Sequence, residues 1–319
     1  MFFVLSGFLI GGILLDASRS PDYFRTFYWR RIYRIFPLYY CWLALYVVLA
    51  FMVFPRLSPS LRAPWPGWRP ALTYLIFMQN LLPKQINGIS SAWLGPLWSL
   101  AVEEQFYLLM PLAVRHLSRR RLAQALLAIV LLSPLFRAAA SRWTSIHAAE
   151  FVATPMRADA LAMGVLAALA LRDSRWRNRI SFNVSFLYAA TVLLFGGVLC
   201  LAFKASERQG ETFWGFSIMA LFFTAAVLIA LVRPNGLWSR LCRLPPLRAL
   251  GGISYCIYVI HLSVLVVCQN ILSWAAGKQS IGLAGLGTLL AAIITWVLAK
   301  ISWHYLESPM LRRGHAYKY

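Results

Sequence analysis

Two adjacent carboxylates stand inside an otherwise apolar part of the sequence. Glu103 and Glu104 lie in "PLWSLAVEEQFYLLMPLAV" at 96–114, which without them could cross a bilayer. A carboxylate at membrane depth is costly, so it usually faces the bundle interior and marks a site. Ser99 shares a helix face with Glu103, whereas Glu104 points about 100° away. The alternative is a structural pair that neutralises an arginine of a neighbouring helix.

Two arginines stand at the start of another apolar run. Arg31 and Arg34 lie three residues apart in "RRIYRIFP" at 30–37. Two guanidinium groups on one helix face can hold a phosphate, and a nucleotide-bearing acyl carrier such as coenzyme A offers phosphates. The alternative is an ordinary anchor in lipid headgroups, and the spacing alone does not decide between the two.

A third pair of charges opens the run "TPMRADALAMG" at 154–164. Arg157 and Asp159 are two residues apart and cannot pair well with each other on a helix. Each therefore needs a partner elsewhere, which for Arg157 is a carboxylate such as Glu103. Either residue could belong to a site or support one.

A polar stripe runs through "GGISYCIYVIH" at 251–261. Ser254, Tyr258 and His261 share one helix face, and this stripe is expected to line a cavity. His261 is a candidate base, with a helix–helix hydrogen bond as the structural alternative. In "WHYLESP" at 303–309, Glu307 fits either a helix-terminal ion pair or a site.

The composition indicates a membrane protein. Hydrophobic residues make up 60% of the 319 residues and charged residues 13%, against about 25% charged residues in soluble domains. The net charge of +21 lies in short clusters between apolar runs, which is a topology signal, so nucleic acid is not an expected partner. Five cysteines without paired spacing predict neither a disulfide nor a metal site.

The apolar runs predict an all-α, polytopic transmembrane bundle, a single domain over residues 1–319 with no soluble domain. About nine spans are expected, at 1–15, 37–55, 97–114, 122–140, 155–171, 183–203, 213–232, 251–276 and 281–305. The stretch "ALTYLIFMQNLL" at 71–82 is too short and should be re-entrant or interfacial. The basic loops place the C-terminus in the cytoplasm. Met1 would then lie outside, which predicts one further helix before it.

Small residues in "FFVLSGFLIGG" at 2–12 predict close helix packing, with Gly7 and Gly11 among them. This stretch begins a series that, in order, resembles the acyltransferase-3 family of bacterial integral-membrane O-acyltransferases. The other stretches are "RRIYRIFPLYY", "PLWSLAVEEQFYLLMP", "MRADALAMG", "GGISYCIYVIH" and "YLESP", and together they reach position 309.

The resemblance implies a ten-helix domain in the bacterial inner membrane that moves an acyl group, usually acetyl from acetyl-CoA. The acceptor would be a hydroxyl of a cell-envelope or secreted glycan or a similar sugar. The expected partners are therefore acyl-CoA, a glycan and membrane lipid. Arg31 and Arg34 match the family's Arg-x-x-Arg donor motif, and Glu103 matches the acidic position of its Ser-Leu-x-x-Glu motif.

One family feature does not occur in the sequence. The family's first helix carries Arg or Lys followed eleven residues later by His, taken as the catalytic base, and it precedes the stretch that matches "FFVLSGF". We therefore expect an N-terminally truncated sequence, with His261 as the substitute base if it is complete. In the expected mechanism Glu103 orients the base, while Arg157 and Ser254 stabilise the oxyanion or position the glycan.

Two other function classes fit the same residues. A proton-coupled transporter or flippase of sugars or small molecules would also use intramembrane Glu, Asp, Arg and His. The sequence has no internal repeat and no paired broken helices, which disfavours that class. An inactive relative serving as a membrane scaffold is the second alternative.

Overall fold

The protein is helical wherever the structure describes it. The computed structural model describes residues 1–53, 56, 68–81, 89–143, 152–205, 214–277 and 280–319, and no strand occurs within these ranges. Positions 54, 55, 82 and 213, at the ends of predicted apolar stretches, lie outside the described residues.

Fourteen α-helices follow one another along the described chain. They are α1 (Phe2–Ala17), α2 (Tyr23–Val48), α3 (Trp68–Leu75), α4 (Ile89–Leu94), α5 (Trp98–His116), α6 (Arg119–Trp143), α7 (Thr154–Arg172), α8 (Ser174–Phe182), α9 (Val184–Ala205), α10 (Gly215–Val232), α11 (Leu237–Cys242), α12 (Pro245–Ala276), α13 (Ile281–Ser302) and α14 (Ser308–His315). A π-helical turn at Leu49–Val53 continues α2, and another at Trp303–Glu307 joins α13 to α14.

By length and composition, seven helices of the described chain could cross a membrane. Two of the predicted spans fall outside these seven: α1 is too short, and α5 contains the two adjacent glutamates. Within the described ranges each predicted span falls mainly on one α-helix, so the prediction of an all-α transmembrane bundle is confirmed. Helical structure suits a bilayer because each helix satisfies its own backbone polar groups.

The chain divides into two compact units, of which the first comprises Met1–Tyr23 and Ser99–Leu244. Its tightest packing joins α1 to α7. A Cβ atom at Gly7 would overlap the Leu161 carbonyl, and one at Gly164 would overlap the Val4 carbonyl. Glycine at both positions lets the two backbones touch, as the small residues of the N-terminal stretch predicted.

Two further helices pack on α7 within the first unit. These are α6 and α10, and α9 packs against α10 in turn. Between α7 and α8, Asp173 ends one helix and caps the next, because its carboxylate accepts hydrogen bonds from the backbone N–H groups of Arg175 and Trp176. Helix α7 therefore lies at the centre of this unit.

The second unit comprises Phe24–Trp98 and Pro245–Tyr319. Helices α12 and α13 pack side by side, and α12 also packs on α4 and the 3₁₀ turn Gly95–Leu97. The Tyr255 hydroxyl donates to the Ile35 carbonyl at 2.9 Å, which ties α12 to α2. The predicted re-entrant stretch forms α3, a turn at Phe77 and the short 3₁₀ helix Gln79–Leu81.

Candidate active site

Helix α5 of the first unit buries the glutamate that the sequence singled out. Glu103 is 2% exposed and Ser99 is 4% exposed, one helical turn apart on the buried face. Glu104 is only partly buried, as its different direction on the helix requires. One turn beyond Glu103, the Tyr107 hydroxyl contacts the Ser6 hydroxyl of α1, which fixes α5 against that helix.

A buried ionic cluster joins α6, α7 and α10 in the same unit. The Arg137 guanidinium donates to the Asp159 carboxylate at 2.9 Å and to the Ser217 hydroxyl at 2.6 Å. The Ser217 hydroxyl also lies 2.6 Å from the same carboxylate oxygen, and the second Asp159 oxygen accepts from the Ala160 backbone N–H. With the Arg137 and Asp159 side chains 0% and 3% exposed, their charges are compensated by each other.

The second predicted member of this region lies beside the cluster. The Arg157 guanidinium carbon stands 3.5 Å from the centre of the Phe216 ring, a close cation–π contact on α10. Arg157 is partly buried and follows Met156, whose carbonyl accepts from Arg137. Asp159 therefore takes its partner from another helix, and Arg157 adds a second positive charge next to that pair.

The predicted donor-binding arginines lie in the second unit, on α2. Arg34 is exposed and lies close enough to interact electrostatically with Glu307. Glu307 is 6% exposed and accepts a hydrogen bond from the Ser302 hydroxyl at 2.9 Å. The Arg31 guanidinium lies 5.9 Å from the Phe27 ring centre. Both arginines are on the first half of α2, and the positive charge of Arg34 also acts on the Glu307 carboxylate.

The predicted stripe on α12 separates into different environments. Ser254 is exposed and donates to the Gly251 carbonyl of its own helix. Tyr258 is partly buried and its hydroxyl donates to the Pro96 carbonyl at 3.0 Å. His261 places Nδ1 2.8 Å from the Tyr258 carbonyl. Since a carbonyl only accepts, Nδ1 carries the proton and Nε2 of the neutral ring is left as the basic nitrogen.

The end of α4 and the 3₁₀ turn that follows it, residues 92–97, are held by side chains from three other parts of the second unit. Four backbone carbonyls of this segment each accept one side-chain hydrogen bond. The pairs are Ser263 with Ala92, Trp42 with Trp93, Tyr258 with Pro96 and Gln79 with Leu97. Carbonyls at and beyond the end of a short helix must find partners in an apolar medium, so these donors hold this segment within the second unit.

Sequence reasoning missed several of these residues. Arg137 lies within the predicted span 122–140, and a cation at membrane depth is the same signal that identified Glu103. The other missed residues are uncharged: Ser217 donates to the Asp159 carboxylate, and Gln79 and Trp42 donate to backbone carbonyls. Neither their residue types nor their spacing distinguished them from ordinary core residues. Among the residues that the structure describes, no group of three or more His, Cys, Asp or Glu could hold a metal ion.

Comparison with known proteins finds a matching acyltransferase domain family and several similar O-acetyltransferases. A family model described as an acyltransferase domain matches residues 1–300. A Bacillus subtilis protein named as a peptidoglycan O-acetyltransferase, YrhL, is 30% identical over 98% of this chain and 50% of its own length. The O-acetyltransferase OatA of Staphylococcus aureus is 24% identical over 98% of this chain and 52% of its own.

A third relative is the peptidoglycan O-acetyltransferase OatA of Listeria monocytogenes, 26% identical over 98% of this chain and 51% of its own length. The chain thus spans about half the length of the curated relatives it matches. No solved structure matches the chain significantly.

Proposed function

Because the chain belongs to the acyltransferase domain family, whose model matches residues 1–300, we propose that it transfers an acetyl group from acetyl-CoA to a hydroxyl of a cell-wall glycan. The names of its relatives, which are peptidoglycan O-acetyltransferases, support peptidoglycan as that glycan. The transfer takes place within the bacterial cytoplasmic membrane, with the C-terminus in the cytoplasm as the basic loops predict.

The observation that carries this proposal is the burial of Glu103. Its side chain belongs to the matched motif "SLAVEEQFY" and is 2% exposed on a helix of a membrane protein. Burying a carboxylate there is costly, and carboxylates at membrane depth usually mark a functional site. A buried carboxylate is useful in acyl transfer, because it can orient a base or stabilise the charge that the base acquires.

The reaction exchanges one acyl bond for another. The acceptor hydroxyl oxygen bonds to the thioester carbonyl carbon, the carbon–sulfur bond breaks, and coenzyme A leaves as a thiolate. A base takes the hydroxyl proton and then returns it to that thiolate. The transient oxyanion on the carbonyl is stabilised by a nearby cation, a role for which Arg157 is the candidate in the first unit, with Asp159 and Arg137 holding its helix in place.

His261, in the second unit, is proposed as the base, as the sequence suggested. Its Nδ1–H donates to the Tyr258 carbonyl, so the proton is fixed on that nitrogen and Nε2 can accept one. Arg31 and Arg34 are assigned to the donor phosphates, since both lie on the first half of α2, where the positive-inside rule places the cytoplasm.

The test uses the whole chain in membrane vesicles, with acetyl-CoA labelled in the acetyl group and a soluble peptidoglycan fragment as acceptor. We expect label in the fragment and release of coenzyme A. Glu103→Gln should reduce the rate by about 10²-fold or more, because acid–base groups contribute factors of that size. The matched control is Asp16→Asn, which makes the same chemical change at an exposed carboxylate.

Equal rates in Glu103→Gln and in the wild-type chain would remove Glu103 from the site. A chain that moves the saccharide across the vesicle membrane without acetyl-CoA, and acetylates nothing, would be a transporter. That result would overturn the proposed function.

A further inference from the structure

We infer that Gln79, in the predicted re-entrant stretch, binds a hydroxyl group of the saccharide acceptor through its side-chain oxygen. The inference rests on the proposed function for the identity of the ligand. The residues that carry it all belong to the second unit: Gln79, Tyr39, Tyr74, Phe77 and Leu97.

The hydrogen bonds around Gln79 fix which way its amide points. Its Nε2 donates to the Leu97 carbonyl at 2.9 Å and to the Tyr39 hydroxyl oxygen at 3.2 Å. Tyr39 donates its own proton to the Tyr74 carbonyl at 2.7 Å, so its oxygen can only accept from Gln79. If the amide were rotated so that its oxygen faced the Leu97 carbonyl and the Tyr39 hydroxyl, neither group could donate a hydrogen bond to it. The Nε2 atom must therefore face these two groups.

This orientation leaves the amide oxygen without a donor. Gln79 is 8% exposed, and its Oε1 atom is buried with no hydrogen-bond partner among the described residues. Buried polar atoms are nearly always satisfied, so an amide oxygen that is fixed and unsatisfied points to a missing donor. A ligand group that carries an O–H or N–H would supply it.

The backbone that delivers Gln79 is strained, which is an independent observation. Phe77, two residues earlier, has φ of 55°, the only positive φ of a non-glycine residue in the described chain. The ring stacks on Tyr39 at 4.3 Å and on Phe36 at 5.4 Å, and these contacts hold it there. Strain of this kind persists at binding and catalytic sites, where it sets the position of a neighbouring group.

A saccharide hydroxyl matches this site better than the acyl thioester does. The transferred acetyl group and the thioester sulfur can only accept hydrogen bonds, whereas every sugar hydroxyl can donate one. Tyr39 and Trp42 lie in the second half of α2, away from its basic start, so the positive-inside rule places them towards the outer face. A cell-wall glycan approaches from that face. The O–H and N–H groups of coenzyme A are the competing donors, and the experiment tests them separately.

The experiment measures binding by isothermal titration calorimetry on the purified full chain in detergent. The probes are the disaccharide N-acetylglucosaminyl-N-acetylmuramic acid and, separately, acetyl-CoA. In Gln79→Met the disaccharide should bind about five- to tenfold more weakly, the effect of one lost hydrogen bond. Affinity for acetyl-CoA should be unchanged. Gln269→Met, the same replacement at a half-buried glutamine of α12, should leave both affinities unchanged.

A second measurement needs only the wild-type chain, in case Gln79→Met does not fold. Disaccharides that each lack one hydroxyl are titrated, and one of them should bind about five- to tenfold more weakly than the parent. If Gln79→Met folds, it should bind this analogue and the parent equally.

Several outcomes would overturn the inference without touching the proposed function, which is judged by acetyl transfer alone. These are unchanged disaccharide affinity in Gln79→Met, equal affinity of the wild-type chain for all analogues, or no binding of the disaccharide. Weaker binding of acetyl-CoA instead would place Gln79 in the donor site, which also contradicts it.

Discussion

The Nη2 atom of Arg137 lies 2.9 Å from Oδ2 of Asp159, and both side chains are withdrawn from solvent. The two residues come from different helices, and Ser217 from a third completes the set of hydrogen bonds. This pair therefore ties together three helices of the first unit at the position where Arg157 stacks on Phe216. It supplies a rigid support for a cation that the proposed mechanism needs.

Removing one partner of this pair should be strongly destabilising. Arg137→Met leaves the Asp159 charge buried without its cation, and we expect the free energy of unfolding to fall by about 3–5 kcal/mol. The double variant Arg137→Met/Asp159→Asn should recover much of that loss, because no uncompensated charge remains. The measurement is reversible unfolding in detergent micelles.

The exposed ion pair between Asp16 and Arg172 is the matched control for that experiment. Its side chains are 66% and 27% exposed, at an N–O distance of 2.5 Å. Asp16→Asn should cost no more than about 1 kcal/mol, as is usual for exposed pairs. Equal losses from the two single variants would contradict the role assigned to the buried pair.

Close packing of α1 on α7 gives a second prediction. In Gly164→Ala the new methyl group would meet the Val4 carbonyl, so the helices must move apart, and we expect a loss of about 1–3 kcal/mol. Gly196→Ala on α9 is the control, since no atom lies within 4 Å of the added carbon. That variant should be neutral or stabilised by up to about 1 kcal/mol, the difference in helix propensity.

Thermal unfolding of Gly164→Ala and Gly196→Ala, each compared with the wild-type chain, measures these changes in stability. A Gly164→Ala protein as stable as the wild-type chain would mean that the two backbones are not in contact.

Much of the fold could be predicted from hydrophobicity, and the limits of that signal are physical. Apolar runs located each long helix, but α2 begins at Tyr23 rather than near position 37. Its first residues, "YFRTFYWRRIYR", form a polar and aromatic extension that hydropathy does not distinguish from a loop. Helix α12 likewise starts at Pro245, six residues before the predicted span.

Residues of the candidate site could be predicted mainly where a charged side chain lies within an apolar stretch of sequence. Glu103 and Asp159 were identified on that basis, and Arg137 carries the same signal. Spacing identified Tyr258 but not Gln79, and it could not identify the backbone carbonyls, distant in sequence, that either side chain binds. Their partners are known only once the chain is folded.

Tyr258 is expected to act as a positioning residue and not as an acid or base. Tyr258→Phe removes the donor to the Pro96 carbonyl, and we expect a loss of about 1–3 kcal/mol in stability, together with slower acetyl transfer. The pH dependence of the remaining transfer should keep its shape, since no proton-transferring group is lost. Tyr40→Phe, which removes an exposed hydroxyl bonded to the Leu75 carbonyl, is the control.

If the fall in transfer rate on the acid or the alkaline side of the pH profile disappeared in Tyr258→Phe, Tyr258 would instead take part in proton transfer. Transfer rates measured between pH 5 and pH 10 distinguish the two cases.

The C-terminal segment docks on the first half of α2, and this contact gives the last prediction. Arg30 donates from Nε and Nη2 to the Tyr317 carbonyl at 2.9 and 2.7 Å, while the Tyr317 ring stacks on Trp29. The Thr26 hydroxyl donates to the Lys318 carbonyl at 2.8 Å. Partial burial raises the pKa of Tyr319, against the opposing effect of Arg30 and Arg31, so the segment lies next to a predicted donor-binding arginine.

Arg30→Met should release this segment, because one methionine cannot replace two hydrogen bonds and a cation–π contact to Tyr319. We expect faster amide hydrogen exchange over residues 314–319, by about tenfold for each 1.4 kcal/mol of docking energy lost. Arg25→Met, which removes only a cation–π contact with Tyr317 at 5.8 Å, should change the exchange much less. Equal exchange in the two variants would show that the paired hydrogen bonds do not hold the segment. If acetyl-CoA binds beside Arg31, it should slow exchange in this segment of the wild-type chain.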